Sequence, residues 1–97
     1  MDKVETKDLY CGAYILSSGG TLAEVRLEGR RNGKPAVTFI FTGEDVEECL
    51  KAYESGQAMT NAAHYKAAMN HLKDVMFEHL RAREEKERVR YGNRQAL

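Results

Sequence analysis

The sequence predicts a small α+β domain with the element order α-β-β-α-α: a β-hairpin packed by helices, the last of them long. Three observations carry this prediction. Leu9, Ala13 and Leu16 recur at spacings of four and three, the period of a helix face. Apolar and polar residues alternate on both sides of Asn32-Gly33, the period of a half-buried strand pair. Ala62, Tyr65, Met69, Leu72, Met76 and Leu80 return to helical spacing over a much longer stretch.

Residues 1–5 are polar and are expected to fray. Thr6 can cap the first helix, with Asp8 in its first turn, where the helix dipole favours an anion. That helix covers about residues 7–18 and stops at Ser17-Ser18-Gly19-Gly20, where glycine can take the left-handed conformation of a C-terminal cap. Gly12 costs about 1 kcal/mol relative to alanine in a helix interior. Its presence predicts the close approach of another backbone.

Ala23, Val25 and Leu27 then share one face of a strand, and Val37, Phe39 and Phe41 share one face of the next. Pro35 opens the second strand, where a missing N–H is tolerated. Leu22 and Ile40 fall on the opposite face and leave some apolar surface there. A lone hairpin is marginal, so a helix or strands from a second copy must cover this one.

Thr42 to Asp45 has a capping-box pattern, followed by Val46, Cys49, Leu50 and Tyr53 at helical spacing as far as about residue 54. Thr60 or Asn61 caps the last helix, expected from 61 to about 88. Ala68, Val75 and Phe77 widen its apolar stripe. Beyond Arg81 apolar residues nearly vanish, so the second half must project, pack on another chain, or fray. The predicted core is Leu9, Ala13, Leu16, Val25, Leu27, Val37, Phe39, Phe41, Val46, Leu50, Tyr65, Met69, Leu72 and Met76.

Ninety-seven residues make one domain, 1–97, ordered over about 6–88 with 89–97 as a loose tail. The core of so short a chain is small, and dimerisation is a natural supplement. Basic and acidic residues number 15 each, which removes the main driver of polyanion affinity. The halves differ: residues 1–60 hold 7 basic and 10 acidic side chains, a net of −3, and residues 61–97 hold 8 and 5, a net of +3. The start, MDKVETKD, has no apolar leader, and no stretch is long and apolar enough to span a membrane. The chain reads as cytoplasmic, with Cys11 and Cys49 reduced.

The pattern T-x-D-L-Y-x-x-A-Y-I-L-x-x-G-G-x-L at Thr6–Leu22 resembles the opening of a family of small bacterial and phage proteins catalogued as a domain of unknown function. The resemblance continues through F-x-F at Phe39–Phe41, Y-x-x-G at Tyr53–Gly56 and A-x-x-Y-x-x-A-x-x-x-L-K at Ala62–Lys73, covering residues 6–77. Gly12 departs from it, since alanine is expected there. The resemblance implies a mobile-element setting and supplies no catalytic residues.

Candidate chemistry is sparse. His64, His71 and His79 are spaced by seven and eight, too far apart for two of them to share a metal ion on one helix. Cys11 and Cys49 sit in helical stretches that want a small apolar side chain, away from an N-terminus that would activate a thiol. Glu44-Asp45 suits capping and Glu47-Glu48 a solvated face. Gly19-Gly20 lacks the spacing of a phosphate loop. Tyr10, Tyr14, Tyr53 and Tyr65 could stack bases, but each lies in an amphipathic stripe, where a core-margin role is commoner.

Two basic clusters remain: Arg30, Arg31 and Lys34 at the hairpin tip, and Arg81, Arg83, Lys86 and Arg88 on the last helix, interleaved with acids. The expectation is a non-catalytic binding module without cofactor, metal or small-molecule substrate. It acts through protein–protein contacts or self-association as a homodimer. The alternative is a nucleic-acid-associated module using those seven basic residues.

Overall fold

The computed structural model describes residues 2–31 and 34–95, with side chains described over 2–29 and 36–86. Strand β1 (Asp2–Thr6) occupies the segment whose polarity suggested fraying. It lies antiparallel to β3 (Lys34–Gly43), with Val4 opposite Phe41. Strand β2 (Thr21–Arg31) pairs with the other edge of β3, giving a three-stranded sheet in the order β1-β3-β2. The hairpin is therefore completed by a strand of its own chain. Only Val4 of β1 is buried, so the segment carries no alternation to betray it.

Helix α1 (Leu9–Ser17) is capped by Asp8, whose carboxylate accepts from the Tyr10 N–H at 2.9 Å. Thr6 instead belongs to β1, and its Oγ1 accepts from the Asp8 N–H at 3.1 Å. The helix ends in a Schellman motif, in which Gly19 N–H donates to Leu16 O and Gly20 N–H to Ile15 O. The two glycines do different work. Gly19 holds a φ of 105°. A Cβ on Gly20 would lie 2.7 Å from Ile15 Cγ2 and 3.0 Å from Ile15 O, so Gly20 is needed for space.

Being only nine residues long and packed against the sheet and both other helices, α1 is buried on more than one side. Cys11, Ala13 and Ile15 are its buried hydrophobics, while the expected Leu9 and Leu16 flank the core. At Gly12 the close approach comes from side chains and not from a backbone. A Cβ there would meet Leu72 Cδ1 and Phe41 Cζ, each at 3.2 Å.

Register shifts interrupt the β2–β3 ladder between Leu22 and Glu24 and between Glu28 and Arg30. The first inserts Ala23 as an extra, exposed residue. Leu22 thereby pairs with Phe41 and joins Val25 against the core, contrary to the strict alternation that would have turned it away. The Asn32-Gly33 turn lies outside the described residues.

Phe39 and Phe41 of β3 face the helices, within a core that also holds Val4, Val46, Ala68 and Leu72. On the opposite face, Thr38 is 4% exposed and Ile40 1%. Arg26 pairs with Thr38 in register, and its guanidinium reaches Glu5 on β1 at 3.6 Å, crossing over β3. It also meets Glu28 at 3.2 Å and Glu24 at 3.4 Å. The apolar surface expected around Ile40 is thus roofed by an arginine spread between three carboxylates.

Helix α2 (Val46–Glu54) begins at Asp45, which makes no side-chain capping bond. The capping box does not form because Thr42 is held in the sheet, opposite Lys3 and Thr21. A second Schellman motif at Gly56, φ 76°, ends the helix, with Gln57 N–H donating to Ala52 O.

Helix α3 (Ala62–Gln95) is capped by Asn61, whose Oδ1 accepts from His64 N–H at 3.0 Å. It continues through residues 89–95, which were expected to be loose. Its 34 residues span about 51 Å at ~1.5 Å per residue, close to the 57 Å long axis of the molecule. Its first half packs Ala68 and Leu72 into the core, with Tyr65, Met69 and Met76 at the margin.

Candidate functional site

The distal half of α3 follows β2. Leu72 lies near Phe41, and Phe41 pairs with Leu22. Further out, Leu27 lines a groove with Ala82, Arg83, Glu85 and Lys86. The run from Leu22 to Leu27 and the run from Leu72 to Arg83 both measure about 17 Å, so strand and helix advance side by side in one direction. The hairpin end and the end of α3 are thereby carried away from the core together.

Among the predicted basic residues, Arg83 falls on the helix line that continues from Leu72 and Met76. It is half-buried and lines one groove with Leu27. Arg81 and Lys86 are exposed. Arg30 stands opposite Pro35, and Arg31 opposite Lys34, at the end of the ladder. The side chains of Arg30, Arg31, Lys34 and Arg88 lie outside the described residues.

Phe77 departs from the pattern read in the sequence. It was assigned to the widened core stripe, yet it is 51% exposed. Five residues beyond Leu72, it sits about 140° around the helix from the core line. That angle was available from the sequence, but a loose count of apolar residues conceals it. Phe77 lies in a groove of 660 Å³ lined by Asp74, Glu78, Leu80, Arg81 and Glu84. Among the described residues, Asp74, Glu78, Arg81 and Glu84 enter no ion pair. The face is an exposed aromatic ringed by unneutralised charge of both signs.

Of the tyrosines expected at core margins, Tyr53 and Tyr65 pack there with their hydroxyls bonded. Tyr53 donates to Asp8 Oδ2 at 3.1 Å and Tyr65 to Tyr10 O at 3.2 Å. Tyr14 and Tyr53 meet at 6.4 Å between ring centroids. Burial and the Asp8 carboxylate push the Tyr53 and Tyr65 phenols up. Tyr10 is 61% exposed.

Cys11 and Cys49 are free thiols, both pushed up chiefly by burial, with Thr6 and Ser18 hydroxyls partly offsetting it. Neither bonds a histidine among the described residues. His64, His71 and His79 are exposed, and His79 Nδ1 lies 2.9 Å from Val75 O. Among the described residues, no group of three His, Cys, Asp or Glu could hold a metal ion. No described helix is long and apolar enough to cross a membrane. Compared with protein-family models, curated proteins and solved structures, the chain finds no significant match.

Proposed function

We propose that this chain is a small non-catalytic interaction module that acts through protein–protein contacts, using the outward face of α3 around Phe77. The exposure of Phe77 carries this reading. A half-exposed aromatic amid unpaired charges gains by association, because its ring is dehydrated while the charges find partners. The cytoplasmic, phage-like setting is part of the proposal and rests on the resemblance of residues 6–77.

The test is a photo-crosslinking residue placed at Phe77 in the full chain in cells, with the same residue at exposed Lys51 as a control. Adducts specific to position 77 are expected. Their absence, or equal labelling at position 51, would overturn the reading.

One observation favours a second reading, nucleic-acid association. The parallel course of β2 and α3 sends Arg30, Arg31 and Lys34 and the α3 positions Arg81, Lys86 and Arg88 toward one end of the molecule. A salt-dependent gel shift that weakens when Arg30, Arg31 and Lys34 become alanine supports it. Unchanged binding would remove the hairpin from the interface.

A further inference from the structure

Resting on the Phe77 reading, we propose that the partner of this face is a second copy of the same chain, docked antiparallel along α3 about a two-fold axis between Phe77 and Glu78. The charge pattern carries the argument. Asp74 and Arg81 are opposite in sign, unpaired in the single chain, and lie on the same face as Phe77, which falls between them. They are separated by about 10.5 Å, two helical turns.

A two-fold axis between Phe77 and Glu78 brings Arg81 opposite Asp74 of the partner subunit, and by symmetry the reverse. The same operation sets the two Phe77 rings diagonally beside one another at the centre. An isologous interface must be self-complementary, and this face supplies one aromatic pair and two reciprocal ion pairs, set against the like-charge cost of the two Glu78 side chains that the same axis brings together. A parallel pairing in register would set like charges against each other at both positions. The core line of α3 points away from the axis, so the sheets of the two copies face outward and do not obstruct the approach.

One helix face of this length buries an area at the small end of specific interfaces, so the dimer is weak, with a dissociation constant on the order of micromolar.

Sedimentation equilibrium of the full chain over a concentration range tests the proposal. The wild-type chain should pass from monomer to dimer. Phe77→Ser should weaken association at least ~10-fold, and so should Asp74→Arg and Arg81→Asp singly. The double variant Asp74→Arg/Arg81→Asp should return to within about threefold of wild type, because the exchange re-forms both pairs. Circular dichroism of each variant confirms that α3 remains folded.

A wild-type chain monomeric at every concentration overturns the proposal. Single variants without effect also overturn it, as does a double variant no better than the singles. Should the wild-type chain be monomeric while position 77 still crosslinks a different protein, the second copy is excluded and the interaction reading stands. Absence of any position-77 adduct removes both.

Discussion

Thr38 shows how one side chain can be well placed and yet imperfect. Its Oγ1 is buried without a hydrogen-bond partner among the described residues, beneath the arm that Arg26 extends to Glu5. A buried hydroxyl left unbonded costs ~1 kcal/mol or more, and valine has nearly the same shape. Thr38→Val should therefore raise stability by about 0.5–1 kcal/mol, read as a higher denaturation midpoint with an unchanged slope. Gly20 predicts the opposite sign. A Cβ there would press on Ile15 Cγ2 at 2.7 Å and on Val46 Cγ1 at 3.1 Å. Gly20→Ala should cost ~1–3 kcal/mol in the same assay, through overpacking. Neither effect was legible in the sequence. Gly19-Gly20 reads there as one stop signal, and separating a glycine required by φ from one required by space takes the neighbouring side chains. Gly12 was half legible: its cost in a helix implied a close neighbour, but not that Phe41 and Leu72 would supply it.

At the scale of elements, α3 and β2 form an arm beyond the main core, in which Leu27 and Arg83 line one groove. Leu27→Ala should loosen that arm alone. Hydrogen exchange should quicken at residues 24–28 and 82–86 while residues 9–17, whose helix packs on the main core, keep their protection. Equal loss of protection in α1 would mean that arm and core open together. The helices and the hairpin were readable from periodicity, because each places several apolar residues on one face. β1 was not, since D-K-V-E-T commits only Val4 to the core and its pairing depends on β3, more than thirty residues away. The bulge at Ala23 was hidden for a related reason. Alternation assumes an unbroken ladder, and the extra residue exchanges Ala23 for Leu22 on the inner face. Phe77 was misassigned because it is apolar, although its angle already separated it from Leu72.

For the whole molecule, folding protonates what alkali would ionise. Burial raises the Cys11 and Cys49 thiols above their ordinary 9.0, and the Tyr53 and Tyr65 phenols rise above 10.0. The folded state then holds protons that the unfolded chain has already lost. This contribution is complete below pH 9.0 and drains away as pH rises from there through the folded values. Chemical denaturation between pH 8 and 11 should show that decline, and Cys11→Ala should flatten its first part whatever its effect at neutral pH. Shape brings a consequence of another kind. The radius of gyration is 16.1 Å, whereas a rounded chain of this length would have about 12–13 Å. The long helix makes a single copy drag through solvent like a bulkier particle. On a sizing column its elution alone would counterfeit a dimer, so only a shape-independent mass, from light scattering or sedimentation equilibrium, can count the chains.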